Sequence, residues 1–200
     1  MSSATEDEIR IAVERGDIDA AATAALKAYG PELYGFLCAL AKDDADASDA
    51  FSFFSENLWR SLSAFEWRCS VRAWSYRLAR NALVDVKRGK RRGAVPLSAI
   101  SEVAARVRTE TATFLRTETK SDLQRLRATL PEDDQQLLVL RVDRNLTWQD
   151  LARVFAGEDV VLDDEALTRE SARLRKRFQL VKKRFVELAR AKRARTPDET

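Results

Sequence analysis

The sequence predicts an all-α protein built as two small helical domains joined by a flexible linker. Only six glycines and four prolines occur in 200 residues, and alanine, leucine, arginine and glutamate, which favour helices, are abundant. Apolar residues recur three and four positions apart, and no run alternates in the way that a strand requires. The length is enough for one medium domain or for two small ones, each with its own core.

Charge is divided into blocks along the chain, although the net charge is only +3. Residues 1–60 carry five basic and twelve acidic side chains, whereas residues 61–92 carry nine and two. The pattern then repeats, with six and eleven in residues 119–165 and twelve and two in residues 166–195. Two basic segments, each preceded by an acidic one, favour two nucleic-acid contacts and separate surfaces for other partners.

The composition excludes several classes of activity. The chain has no histidine, which removes imidazole catalysis and most zinc sites. Cys38 and Cys69 are isolated, so we expect reduced thiols in a core rather than a disulfide or a metal site. No nucleophile, base and orienting group come together, and we therefore expect neither an enzyme nor a cofactor.

The sequence also lacks the signals of a membrane protein. No apolar run reaches the ~18 residues that a membrane span needs. The N-terminal region, with Glu6, Asp7 and Glu8, is unlike a signal peptide. We therefore expect a cytoplasmic protein with no membrane partner.

The first elements are predicted from their apolar spacing and their end signals. The apolar positions from Ile9 to Val13 predict a short helix that ends at Gly16, and Asp17 can cap the next helix. Gly30-Pro31 predicts a break, with Pro31 in the first turn of a third helix. An acidic joint, residues 43–49, then precedes a helix over residues 50–61.

The helix over residues 50–61 is predicted to contribute to the core. Phe51, Phe54 and Leu58 share one side of it, and aromatic residues at helical spacing are usually buried. Its remaining polar and aromatic residues face elsewhere, which makes them candidates for a partner surface.

Residues 65–92 combine three kinds of group that hold opened nucleic acid, namely rings, cations and an amide. An apolar stripe predicts a helix from about Val71, with cations on the opposite face. The stripe consists of Val71, Trp74, Leu78, Ala82 and Val86. The alternative is an ordinary surface helix whose arginines are solvated. Cations at the C-terminal end of a helix are stabilised by its dipole, but the dipole accounts for only two or three of the five cations in residues 87–92.

Residues 94–119 are rich in small residues with nearly balanced charge, which predicts a linker with room for one weak helix. Beyond the linker, Pro131 predicts a helix start, and Thr147 with Asp150 forms a capping-box pattern.

The last helix has the clearest pattern, since apolar or small residues recur at alternating intervals of four and three. This seam consists of Leu167, Ser171, Leu174, Phe178, Val181, Phe185 and Leu188. A coiled coil could share the seam, but its charges would normally alternate in sign, and here they are almost all positive. The pattern therefore favours a recognition helix that lies in a major groove.

Three stretches carry a resemblance to a known family. Trp74–Asn81, followed by Asp85 and a basic end, resembles the promoter-melting segment of bacterial RNA polymerase sigma factors of the extracytoplasmic-function (ECF, group four) type. Leu130-Pro131-Glu132 resembles the start of the last sigma domain. Asn145–Ala152 looks like the first helix of a helix-turn-helix.

The resemblance implies three parts and a function. Residues 1–92 would be sigma domain two, residues 93–119 the linker, and residues 120–200 sigma domain four with its helix-turn-helix. A chain of this kind binds core RNA polymerase and directs initiation at promoter DNA. An anti-sigma factor is a further candidate partner.

The resemblance also implies three sets of site residues. The opened minus-ten element is expected to contact Phe65, Trp67, Arg68, Arg72, Tyr76, Arg77, Arg80, Asn81, Lys87 and Arg88. The minus-thirty-five element is expected to contact Arg169, Arg173, Arg175, Lys176, Arg177 and Lys182. The polymerase is expected to contact Asp46, Asp49, Phe53, Glu56, Asn57 and Trp59.

The chain departs from the family pattern in two places. Ser52 and Phe53 stand where the family usually has glutamine and then an acidic residue, and the acidic stretch Ala156–Glu165 replaces a tight turn. The alternative from another class is a stand-alone helix-turn-helix repressor or activator that needs only Leu130–Ala194. That alternative gives the ring-rich segment no role.

Overall fold

The computed structural model describes residues 3–89, 99–116, 122–156 and 160–195. Within these ranges the chain forms nine α-helices and no strand, which confirms the all-α prediction. The helices are α1 (Ser3–Glu14), α2 (Ile18–Leu40), α3 (Asp44–Ser61), α4 (Val71–Lys87), α5 (Ala99–Arg116), α6 (Asp122–Arg127), α7 (Glu132–Leu138), α8 (Trp148–Phe155) and α9 (Asp164–Arg195). A 3-10 turn, Leu62–Ala64, follows α3, and a π-helical turn, Val139–Asp143, follows α7.

The predicted start of α2 is confirmed. Gly16 adopts a left-handed φ of 76°, which ends α1 in a conformation that favours glycine. The side chain of Asp17 then accepts a 3.0 Å hydrogen bond from the backbone N–H of Ala20.

The predicted break at Gly30-Pro31 is wrong, because α2 runs without interruption from Ile18 to Leu40. A residue before proline usually avoids the helical conformation because its Cβ clashes with the proline ring, and Gly30 has no Cβ. A Cβ at Gly30 would also lie 2.8 Å from Cγ1 of Val107 on α5. The glycine therefore serves both the continuity of α2 and the close approach of α5.

The N-terminal core lies between α2, α3 and α4. Phe51 and Phe54 are fully buried, as predicted from their spacing. Phe36 on α2 packs edge-to-face against Tyr76 on α4, with ring centroids 5.4 Å apart. These contacts fix the face that α4 turns to the core.

Helix α5, which lies within the segment predicted as a linker, packs against α2 and α3. Ile100, Ala104 and Val107 recur at helical spacing and are buried. The guanidinium of Arg108 donates to the hydroxyls of Ser48 at 2.8 Å and Ser52 at 3.4 Å. Residues 99–116 are thus part of the N-terminal helical body rather than a free tether.

The C-terminal half is built on α7, α8 and α9. The hydroxyl of Thr147 accepts from the backbone N–H of Asp150 at 3.1 Å and donates to its carboxylate at 2.7 Å, so the predicted cap of α8 is present. Leu167, Ser171, Leu174 and Val181 of the predicted seam are buried, and the seam packs against the rest of this half.

The two halves are in direct contact. Helix α4 packs on α8, and buried apolar residues of both halves form one cluster. A Cβ at Gly35 of α2 would lie 2.8 Å from Nη2 of Arg144, which shows how closely the second half approaches. The boundaries predicted at residues 92 and 119 stay predictions.

Candidate nucleic-acid interface

Three rings are assembled where the chain enters α4. The ring of Phe65 stacks on that of Trp74, with centroids 4.5 Å apart and planes inclined by 24°. The Trp67 ring lies 5.1 Å from Phe65. Trp67 adopts a left-handed φ of 57°, a backbone conformation that is sparsely populated for residues other than glycine. Residues 65–70, called the aromatic loop below, are therefore held in a defined shape.

Helix α1 supports the aromatic loop, a role that the sequence reasoning missed. The carboxylate of Glu6 accepts hydrogen bonds from the backbone N–H groups of Val71 at 2.7 Å and Arg72 at 3.2 Å. The guanidinium carbon of Arg10 lies 4.8 Å from the centroid of the Trp67 ring. These contacts join residues more than 50 positions apart, so no local pattern signals them.

Of the cations predicted for the minus-ten element, Arg68 and Arg88 are exposed and Arg77 is half-buried. Arg68 forms a 2.9 Å ion pair with Glu66, and both side chains are more than half exposed. An exposed pair of this kind stabilises the fold little, so Arg68 can change partners readily.

Arg72 is turned inward. Its guanidinium donates to both carboxylate oxygens of Glu32, at 2.7 and 2.8 Å, and to the carbonyl oxygen of Arg144 at 2.9 Å. The hydrogen bond with Glu32 raises the pKa of Arg72. Arg72 therefore acts as a structural bridge between α2, α4 and the C-terminal half in this conformation.

Arg80 and Lys87 are paired with the C-terminal half. Arg80 donates to the side-chain oxygen of Gln136 at 2.7 Å and to Asp133 at 3.2 Å. Lys87 binds Glu132 at 2.9 Å and the carbonyl oxygen of Leu40 at 3.1 Å. Both cations were predicted to contact DNA, and both are bound here to partners within the chain.

The prediction that Tyr76 contacts DNA is contradicted. Its side chain is fully buried, and burial raises the pKa of its phenol. The buried face of α4 is wider than the apolar stripe predicted from the sequence, because α4 packs on α2, α3 and α8 rather than on one neighbour. Ala73, Tyr76 and Ala79, which lie outside the stripe, are therefore buried as well.

Asn81 lies on α4 and is half-buried. Its amide nitrogen is shielded from solvent and has no hydrogen-bond partner among the described residues. A buried amide donor without a partner is unfavourable, so a ligand that supplies an acceptor there would be stabilised.

The predicted cations of α9 fall into two groups. Arg175, Lys176 and Lys182 are exposed, and the guanidinium of Arg175 lies 5.6 Å from the ring centroid of Trp148. The others have acidic partners: Arg169 pairs with Glu165, Arg173 with Glu170, and Arg177 with Asp134 and Asp133.

One group of carboxylates links both basic helices. Glu132, Asp133 and Asp134 form the first turn of α7 and are called the α7 acidic cluster below. Asp133 binds Arg80 of α4 at 3.2 Å and Arg177 of α9 at 3.5 Å. The cluster therefore neutralises part of both predicted DNA surfaces at once.

Most residues predicted to bind polymerase share one face of α3. Asp46, Asp49 and Phe53 line an open cleft of about 450 Å³, together with Lys42 and the C-terminal end of α4. This cleft is called the acidic cleft below. Asn57 is half-buried, and Glu56 is mostly buried and forms an ion pair with Arg60.

Trp59 is separated from that face. Because successive residues of an α-helix turn by about 100°, Trp59 lies about 120° from Phe53 around α3. Its indole N–H donates to the carboxylate of Asp19 on α2 at 2.7 Å. The geometry therefore groups Trp59 with α2 rather than with the acidic cleft.

A second cleft, of about 420 Å³, lies beside the aromatic loop. Phe65, Trp74 and Arg77 line one side, and Val160 and Val161 line the other. The two valines are 47% and 61% exposed and belong to the acidic stretch Ala156–Glu165. Residues 157–159 of that stretch lie outside the described residues, as do Lys90, Arg91 and Arg92 of the basic end of α4.

Cys38 and Cys69 are not joined in a disulfide. Across the described ranges, no group of three or more histidine, cysteine, aspartate or glutamate side chains could hold a metal ion. No described helix is long and apolar enough to cross a membrane.

Comparison with known proteins gives one match. Residues 25–93 match the family model described as sigma-70 region 2, a range that begins in α2 and contains α3, the aromatic loop and α4. No curated protein and no solved structure matches the chain. Residues 25–93 are thus similar to region 2 of sigma-70 factors.

Proposed function

We propose that the chain is an ECF (group four) sigma factor that acts in the cytoplasm with core RNA polymerase. The observation that carries the proposal is the position of the aromatic loop, directly before a basic helix and within the sigma-70 region 2 match. Promoter melting needs surfaces for unstacked bases beside cations for the backbone, and this segment supplies both.

The minus-ten element binds the aromatic loop and α4 in this proposal. Each base that stacks on a ring is stabilised by roughly 1 to 3 kcal/mol. Trp67 offers such a ring, and the unpartnered amide of Asn81 reads the pairing edge of an extruded base. Arg68, Arg77 and Arg88 hold the phosphates.

Arg80 and Lys87 join the minus-ten contact only after they leave the α7 acidic cluster. A phosphate can replace a carboxylate because both are anions that accept hydrogen bonds from guanidinium and ammonium groups. In the free chain both cations are bound to the α7 acidic cluster, so DNA can contact them only after the two halves move apart. Arg72 stays with Glu32 and orients α4.

The minus-thirty-five element binds α9. Helices α8 and α9 pack together, with Thr147 capping the first, and we take them as the two helices of a helix-turn-helix. Arg169 and Arg173 lie nearest the base edges, since they occupy the first turns of α9, whereas Arg175, Lys176 and Lys182 contact phosphates. Arg177 is released when the α7 acidic cluster opens.

Core RNA polymerase binds the acidic cleft of α3. Asp46 and Asp49 supply negative charge and Phe53 supplies an apolar floor, which together suit a basic side chain of the partner. An anti-sigma factor, where one exists, would compete for this cleft or for the aromatic loop.

The proposal is tested by reconstitution with core polymerase. The protein and core enzyme are incubated with a library of random promoters, and start sites are mapped by sequencing. We expect initiation at a defined sequence class, with dependence on added protein. Tight binding to duplex DNA alone, with no specific initiation, would instead support the stand-alone repressor or activator.

A matched pair of variants tests the polymerase surface. Asp49→Lys reverses a charge in the acidic cleft, whereas Asp44→Lys reverses an exposed charge in the first turn of α3 outside the cleft. We expect only Asp49→Lys to weaken assembly with core polymerase. Equal loss in both variants would contradict the assignment of the cleft.

A further inference from the structure

Helix α1 fixes the N-terminal end of α4 through Glu6. One oxygen of this carboxylate accepts from the backbone N–H of Val71 at 2.7 Å, and the other accepts from Arg72 at 3.2 Å. The side chain of Ser70 accepts from the N–H of Ala73 at 3.1 Å. The first three N–H groups of α4, which no helix can satisfy internally, thus all have acceptors.

Glu6 is itself held in place. The hydroxyl of Tyr29 on α2 donates to it at 2.7 Å, and Ile9, one turn further along α1, is fully buried. Burial and the bond to Glu6 both raise the pKa of Tyr29, so the phenol remains a donor at neutral pH. The carboxylate therefore ties α1, α2 and α4 together at the point where the aromatic loop ends.

Arg10 lies one turn after Glu6 and reaches the loop itself. Its guanidinium carbon is 4.8 Å from the centroid of the Trp67 ring, within the range of a cation–π contact. A cation over one face of the ring restricts a stacking base to the other face. It also helps to hold Trp67 in its left-handed backbone conformation.

We infer that α1 is part of the proposed base-capturing site, with Glu6 and Arg10 as positioning residues that hold the aromatic loop ready for an unstacked base. The inference rests on the proposed function, since it concerns the same loop. It adds a segment that lies before the sigma-70 region 2 match, which begins at residue 25.

The inference is tested by promoter opening with core polymerase. A fluorescent adenine analogue replaces the unstacked base of the non-template strand, and its signal reports opening. Closed-complex formation is measured separately at low temperature by mobility shift. The variants are Arg10→Ala, Arg10→Lys and Glu6→Gln, with Arg15→Ala as the control, because Arg15 is an exposed cation just beyond the end of α1.

We expect Arg10→Ala to reduce opening by about two- to fivefold, the range of an exposed cation–π contact, without a change in closed-complex affinity. Arg10→Lys keeps a cation and should restore most of the loss, whereas Arg15→Ala should match the wild type. Glu6→Gln replaces one of the two acceptor oxygens by an NH2 donor, so the N–H of Val71 or that of Arg72 loses its acceptor, and opening should fall at least as far as with Arg10→Ala.

A double variant tests whether Arg10 acts through Trp67. In a Trp67→Ala background, Arg10→Ala should cause no further loss of opening, because the ring it positions is gone. A further loss of the same size in that background would overturn the inference, and so would normal opening by Arg10→Ala alone. Failure of the wild type to open any promoter with core polymerase would instead overturn the proposed function.

Discussion

Substitution of Asp133 by asparagine should increase the affinity of the free chain for DNA. Asp133 belongs to the α7 acidic cluster and pairs with both Arg80 and Arg177. These two cations lie on the helices proposed to bind the minus-ten and minus-thirty-five elements. DNA must displace Asp133 from them before it can use them, so its removal should favour binding.

The size of the effect follows from the two ion pairs. Asp133 is about half exposed, and pairs of this kind contribute about 0.2 to 1 kcal/mol each. Removal of both would raise affinity by roughly two- to thirtyfold. Arg80 keeps Gln136 and Arg177 keeps Asp134, so we expect the lower part of this range, about two- to fivefold.

Fluorescence anisotropy with a labelled single-stranded minus-ten oligonucleotide and a labelled duplex measures the effect between 50 and 200 mM salt, about the range over which phosphate contacts are strongly screened. The plot of log affinity against log salt should steepen by roughly 0.7 to 0.9 for each additional phosphate that the protein neutralises. Asp143→Asn is the matched control, since Asp143 pairs with Arg127, which is not a predicted DNA contact. Equal increases in affinity for both variants would show that only net charge matters and would refute the reasoning.

Three further predictions concern other parts of the structure. Trp67→Ala should reduce promoter opening by roughly five- to 150-fold, from about 1 to 3 kcal/mol per stacked base. Asn81→Ala should reduce it by roughly two- to tenfold, from about 0.5 to 1.5 kcal/mol for the lost hydrogen bond, and equal loss of closed-complex formation by either variant would contradict the melting role. Arg175→Ala should flatten the salt dependence of duplex binding by about 0.9, whereas Arg177→Ala should change it less in the free chain because Asp134 already holds that guanidinium. Gly30→Ala should lower the free energy of unfolding in urea by about 1 to 3 kcal/mol, because its Cβ would lie 2.8 Å from Val107, and unchanged stability would show that α5 can move away.

Local features of the fold were predictable from the sequence because their causes are local. The caps at Asp17 and Thr147 depend on residues three positions apart, and both are present. The buried seam of α9 depends on spacing alone and is also present. Pro31 was misjudged because the usual penalty falls on the Cβ of the preceding residue, and that residue is glycine.

The candidate site was only partly predictable because its partners come from distant parts of the chain. The aromatic loop and α4 were identified, and the family match covers them. The burial of Tyr76 depends on three neighbours of α4, and the pairing of Arg80 with Asp133 spans 53 positions. Spacing within one helix carries no information about such neighbours.

The contact between the halves responds to electrolyte differently from the interior of either half. Ion pairs such as Lys87 with Glu132 lie across this contact and are screened by dissolved ions, whereas the burial of Phe51 or Leu174 is not. Rising ionic strength should therefore weaken the ion pairs across this contact while the apolar packing of α4 on α8 and the helical content stay constant. The ionic composition of the surroundings would in this way set how often the unbound protein frees Arg80 and Lys87 from their carboxylate partners.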